Sequence, residues 1–419
     1  MEAKPEHPAA LDIIVVGAGI SGLATAISCL LSGHRVTIFE AAKELGEVGA
    51  GLQITPNASW ILKEWGVPDS LWKLAAEPTC LSVHRYSDGK ILAMEKDFGK
   101  KIRSKYRAPF VALHRADLHK ALYERSHQLG VEIQLGQKVV QIDFEQTMIV
   151  TESGLTAKAD LVVAADGLWS QCRQCFLGVK EPPLPTGDLA YRILLHLDDI
   201  DDPQLREWVS KPAVHFWIGP EAHAVGYSLR AGNMYNIVLL VPDDLPEGVK
   251  RQTASVDEMR ALFKGWDPIL GRFLDMVKKV DKWKLMHRSE LQNWVNDESN
   301  LVFVQGANSA IEDGAVLGRL LGKIYSKEQL PSALKMYERL RKSRGEAIVK
   351  EAFKQRDVFH MKDGPEQQAR DELFLSQLGK EIQAPFPSRW TCPNVQRWLY
   401  GYNVNKELQE ATKRGLSKL

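Results

Sequence analysis

DIIVVGAGISGLATAISCLLSGHRVTIFE, residues 12–40, carries the pattern from which the architecture of the chain can be read. The run 12–16 is apolar, short and stopped by glycine, which reads as a buried strand. Gly17, Gly19 and Gly22 follow at once, then a helical run, then a second strand ending at Glu40. Strand, glycine turn, helix and strand make one βαβ unit. Gly17 allows the tight turn, Gly19 lets the backbone approach a pyrophosphate, and Gly22 lets helix and strand pack closely. The helix start offers unpaired N–H groups and a positive dipole end to phosphate. Glu40 stands 23 positions after Gly17, where a carboxylate accepts hydrogen bonds from a ribose. A glycine triplet alone means little; here its whole context agrees.

Working outward, residues 160–165 form another buried strand, closed by Asp166-Gly167. A helix is expected over 117–129, and hairpin-like strands over 131–151. The proline-rich segment KEPPLPTG, 180–187, reads as a crossing between domains. Beyond it, residues 189–196, 213–218, 223–229 and 235–241 alternate as one antiparallel sheet. Residues 257–279 read as helix with a break near Asp267-Pro268, and helices dominate from 309 onward. The expected fold is α/β: a Rossmann-like domain (1–80, 111–183 and 284–345), an inserted β-rich domain (81–110 and 184–283) and a C-terminal helical region (346–419).

Composition sets bounds. The 419 residues are 44% hydrophobic and 26% charged, as in ordinary globular proteins. Lys+Arg 54 against Asp+Glu 53 gives no case for nucleic acid or a membrane surface as partner. Five scattered cysteines point to a reducing compartment and not to a disulfide framework. Cys172 and Cys175 form a C-x-x-C without the second ligand pair that zinc needs. No metal site is expected, and His215 and His223 fall on separate strands. No stretch is apolar enough to span a bilayer, so a cytoplasmic location is expected. A homodimer is left open. Zinc-protease, serine-hydrolase and phosphate-loop signatures are absent from the sequence.

FAD and NAD both fit the βαβ unit, and the rest of the chain chooses between them. GAGISGL, GEVGAGLQITPNA (46–58), HRADL (114–118), DLVVAADGLWSQCR (160–173), AYR (190–192) and QGANSAIEDG (305–314) together resemble the salicylate-hydroxylase-like FAD monooxygenases. The resemblance covers nearly the whole chain. It implies a class A flavoprotein that uses NAD(P)H and O2 to hydroxylate a small aromatic, phenolic substrate through a flavin C4a-hydroperoxide. Gly49, Gly51 and Gln53 would let a flat ring lie close to the backbone. Arg115 would serve the FAD phosphate and ribose region, and Asp166 both FAD and the passing nicotinamide cofactor, with Arg173 lending charge nearby. Gly306 and Asn308 would open a helix aimed at the flavin. Ser309-x-x-Glu312 matches a capping box, with Asn308 an alternative N-cap. On the substrate side, Arg192 and Tyr227 would orient a phenolate or carboxylate.

One departure stands out. In the resembling family the strand at 301–304 is followed by a Gly-Asp pair and a proline loop before Gln-Gly-x-Asn. Here Val304 abuts Gln305. With about two linking residues, either the strand frays or the helix start unwinds. Two alternatives follow: a catalytically impaired flavin-fold protein, or a flavin oxidase or dehydrogenase that makes no hydroxylated product.

Overall fold

The computed structural model describes residues 8–46 and 49–413. Glu47 and Val48, inside the stretch GEVGAGLQITPNA, lie outside the described residues.

The fold is mixed α/β. The first strand, Asp12–Val16, sits at the centre of a five-stranded parallel sheet. Arg35–Phe39 and then Glu132–Gln134 lie on one side of it. Leu161–Ala164 and then Leu301–Phe303 lie on the other. All four residues of Leu161–Ala164 are buried, as a strand covered on both faces requires. Glu132–Gln134 was expected within a hairpin. It instead closes the parallel edge, and the hairpin proper is Val139–Asp143 with Met148–Thr151, joined by Thr156–Lys158.

The glycine-loop helix Ile20–Leu31 packs along the helix Asn308–Leu321. Gly314, Gly318 and Gly322 recur every fourth residue, one stripe of a helix face. A Cβ on Gly318 would come within 2.6 Å of the Ser28 backbone, and one on Gly314 within 3.0 Å of Thr25. Only glycine permits this approach. It places the start of the second helix beside the mouth of the first.

The second sheet has eight strands. Leu184–His196 pairs antiparallel with Met234–Pro242 and Val280–His287, and Ala222–Leu229 joins Met234–Pro242 to Ala213–Gly219. The sheet is not wholly antiparallel, because Ala213–Gly219 runs parallel to Cys80–Arg85. Residues 184–187 of the proline segment already belong to a strand, with a register irregularity before Leu189. One face packs a core of Tyr191, Ile193, Trp217, Tyr235, Ile237 and Leu239 against Pro203–Ser210, Val256–Leu262 and Pro268–Asp275. The break at Asp267-Pro268 is an N-cap: the Asp267 carboxylate accepts from Ile269 N–H, and Pro268 takes the first helical position.

The long helix of the C-terminal part is Leu330–Phe359, and shorter helices complete the region. Among the described residues no helix is long and apolar enough to cross a membrane.

Candidate flavin and substrate site

The glycine turn is built as its spacing demands. Gly17 has φ +104, and its Cβ would lie 2.6 Å from the Ala165 carbonyl. A Cβ on Gly22 would lie 1.9 Å from the Gly17 carbonyl. Gly19 differs, because its Cβ would meet nothing among the described residues within 4 Å. Among the described residues the helix beyond it has no side-chain cap, and its first turn has no acid, so its first N–H groups remain available to an anion. Glu40 reaches back to the same mouth and accepts from Ala18 N–H at 2.6 Å and Ala42 N–H at 2.8 Å. An open cradle, an uncapped helix start and a carboxylate at the strand end fit the diphosphate and ribose of FAD.

The strand Gly51–Ile54 pairs with Val111–His114. The space a Cβ on Gly51 would fill is taken by Tyr227, whose hydroxyl lies 2.7 Å from that point, and by the Asn236 amide, at 2.8 Å. Small size at Gly51 therefore brings the second sheet against this strand. Gly49 plays the same part toward His114, whose Nε2 would lie 3.0 Å from its Cβ. Arg115 opens the helix Arg115–Gln128 and donates its backbone N–H to Ala50.

The second sheet turns its other face toward this strand. Arg192, Val238, Val225 and Phe216 form one cross-strand row; Leu194, Asn236, Tyr227 and Val214 form the next. The first row is not fully covered: Arg192 is exposed, and its apolar partners are half-buried. Arg192 also lies near the Trp283 ring, 5.1 Å from its centroid. Burial of its inner part and the charge of Arg115 both lower the Arg192 pKa. Tyr227 is buried, and burial raises its pKa while Arg192 pulls the other way. Its hydroxyl stays protonated at neutral pH.

The junction after residue 303 closes without disorder of either element. Phe303 still pairs with Ala164, and Val304 N–H donates to the Ala164 carbonyl at 3.2 Å. The strand does not fray. Residues 304–307 span the gap, so the linker is four residues and not two. Gly306 takes φ +82. The capping box is absent: Ala307 is the N-cap without a side-chain bond, and the Ser309 hydroxyl donates to the Gln305 carbonyl at 2.7 Å. Asn308 is the first helical residue. Its side chain clamps the neighbouring strand, donating to the Gln53 carbonyl at 2.8 Å and accepting from Thr55 N–H at 3.2 Å.

Glu312 is buried in an ion network instead of capping. Arg344 meets it at 2.8 Å and Arg341 at 2.6 Å, while Arg341 also donates to Asp313 at 2.7 Å. Asp313 in turn accepts from Gln305 N–H at 3.0 Å. Burial strongly opposes charge on Glu312, but the two arginines hold its pKa below the usual value. Burial raises Asp313 to about 6 against the pull of Arg341 and the Gln305 N–H. The shortened junction is thus tied to the long C-terminal helix.

Asp166 is engaged within its own turn, accepting from the Ser170 hydroxyl at 2.6 Å and Cys172 N–H at 2.9 Å. Arg173 is buried and pairs with Glu181 at 2.6 Å. His215 meets His84 at 3.0 Å on the covered face. His223 meets His360 at 2.6 Å. Among the described residues no group of His, Cys, Asp and Glu is arranged to hold a metal ion. Asn236, Arg341 and Arg344 were not singled out from the sequence.

The family described as FAD binding domain matches residues 10–266. FAD-dependent monooxygenase OpS4 of Beauveria bassiana (strain ARSEF 2860) is 48% identical over 94% of this chain and 95% of its own. The 3-hydroxybenzoate 6-hydroxylase of Polaromonas naphthalenivorans (strain CJ2) is 28% identical over 95% and 98%. A salicylate hydroxylase solved as a substrate complex superposes with a TM-score of 0.77 at 20% identity, over 96% of this chain and 98% of that one. Glycine cradle, strand-end acid and second sheet thus occur in a chain that belongs to the FAD-dependent monooxygenases, in the class A flavoprotein aromatic hydroxylase family.

Proposed function

We propose that this chain hydroxylates a small aromatic, phenolic substrate with NAD(P)H and O2. The observation that carries the reading is the partly open row of Arg192 and half-buried apolar side chains, next to Tyr227 and Gly51. FAD, when bound, supplies the oxidation of NAD(P)H and the activation of oxygen. The chain's own groups do the rest. The helix start at Ile20 and Glu40 would hold the diphosphate and ribose, with Arg115 and Asp166 beside them. Gly306 and Asn308 would set the start of the second helix, whose dipole favours negative charge on a ring system lying there. Arg192 would fix an anionic oxygen of the substrate. Tyr227, kept protonated, would donate a hydrogen bond to it. The apolar row would hold the ring and exclude water.

The short junction at 304–307 favours a second reading, in which the cofactor is held but oxygen transfer is impaired. Substrate-dependent NAD(P)H oxidation over a panel of phenols, with product mass and peroxide measured together, separates the readings. A gain of one oxygen atom in the product supports hydroxylation. Stoichiometric peroxide with unmodified phenol supports an oxidase, and no stimulation by any phenol supports impairment.

A further inference from the structure

Asn236 is 1% exposed, on the strand Met234–Pro242. Its amide orientation is fixed by chemistry. Gly51 N–H is a donor at 2.9 Å, so the atom facing it must be the carbonyl Oδ1. The other end is therefore Nδ2, and Nδ2 has no hydrogen-bond partner among the described residues. A buried donor left unmade is costly and calls for an explanation. Asn236 stands opposite both Leu194 and Tyr227 in the sheet. Directly opposed residues share a face, so its side chain lies on the Tyr227 side, one row from Arg192. Its Cγ and the Tyr227 hydroxyl converge on the same point above Gly51.

A staple between sheet and strand needs only the Oδ1 acceptor. The donor end is surplus to that role. We propose that Asn236 is a third polar anchor for the substrate, its Nδ2 donating to an oxygen on the aromatic ring while Oδ1 holds Gly51. The inference rests on the hydroxylase reading and deepens it. The positive charge of Arg192, the protonated Tyr227 and the Asn236 donor all select a ring bearing an anionic acceptor oxygen, a phenolate or a carboxylate. Asn236 then acts as a positioning residue: one amide links the substrate oxygen to the strand beside the flavin.

The test uses the FAD-loaded full chain and compares each oxygen-bearing ring with the same ring lacking that oxygen. Binding is followed by the ligand-induced change in the flavin spectrum. Asn236→Asp keeps an acceptor for Gly51 and replaces the donor with a repelling oxygen. Asn236→Ala removes both ends. The expected result is a loss of roughly 10–100-fold in the preference for the oxygenated ring over the deoxy ring, the range of a hydrogen bond to a charged group. Among turned-over substrates KM rises more than kcat falls. If either folded, FAD-binding variant discriminates the two rings as wild type does, the proposal is overturned while the hydroxylase reading stands. If wild type binds no oxygen-bearing ring, the hydroxylase reading falls and the proposal with it.

Discussion

Replacing Arg341 with methionine removes the keystone of the junction that follows residue 303. Arg341 is fully buried and holds two carboxylates, Asp313 at 2.7 Å and Glu312 at 2.6 Å. Arg344 remains on Glu312 after the change. Among the described residues Asp313 is left with only the Gln305 N–H as a partner. Methionine fills much of the volume, so the loss is mainly electrostatic. Removing one member of a buried pair costs about 3–5 kcal/mol. The loss depends on pH with a definite sign. Asp313 already sits at about 6, and without the guanidinium its pKa rises further. The variant therefore regains stability relative to wild type as pH falls through that range and Asp313 takes a proton. Chemical denaturation at pH 5 and pH 8, followed by flavin release, measures both quantities. FAD affinity should fall as well, because Asp313 fixes the backbone just ahead of Gly306 and Asn308. A loss below about 1 kcal/mol, the scale of a surface pair, would contradict a buried role for Arg341. So would a deficit that does not shrink at low pH.

The glycines of the turn should separate cofactor binding from folding. Gly19→Ala meets no atom of the described residues within 4 Å, so melting should shift little while FAD affinity drops at least about tenfold, an order set by lost backbone approach. Gly22→Ala collides with the Gly17 carbonyl and should cost about 1–3 kcal/mol as an overpacked site does; equal melting of both variants would contradict this. His34 is buried, accepts from Leu11 N–H through Nδ1, and is pushed down by burial from 6.5 to about 4. Between those values the unfolded chain binds the proton and the folded one does not, so stability falls on acidification below 6.5 by up to roughly 3 kcal/mol. His34→Asn should flatten that slope in a pH series of denaturation curves. Tyr227→Phe should preserve FAD content and raise KM for phenols several-fold, about 1 kcal/mol for one hydrogen bond, and a selective effect on FAD content would reassign the hydroxyl.

Legibility from the sequence followed the range of the interactions. The βαβ unit was readable because its strand, turn, helix and acid are neighbours along residues 12–40. The same local grammar misled at Ser309-x-x-Glu312. A capping box there required only a spacing of three, whereas the real partners of Glu312 are Arg341 and Arg344, the latter 32 residues further on. Arg341 and Arg344 sit in a helix rich in charged residues, and nothing in its periodicity marks two of its cations as buried. Asn236 escaped for a related reason. It lies within an alternating strand, and its role depends on contact with Gly51, 185 residues earlier. The parallel pairing of Ala213–Gly219 with Cys80–Arg85 crosses a similar distance. Arg192 and Tyr227 were found only through resemblance; the structure places them on one face in adjacent cross-strand rows.

The proposed activity requires that a junction of four residues still leave a working cofactor site. The direct measurement is the visible absorbance of the purified chain, titrated with FAD and freed of excess. The predicted result is a stoichiometric, protein-bound flavin spectrum that Gly19→Ala weakens. A folded chain that stays colourless after soaking would contradict it.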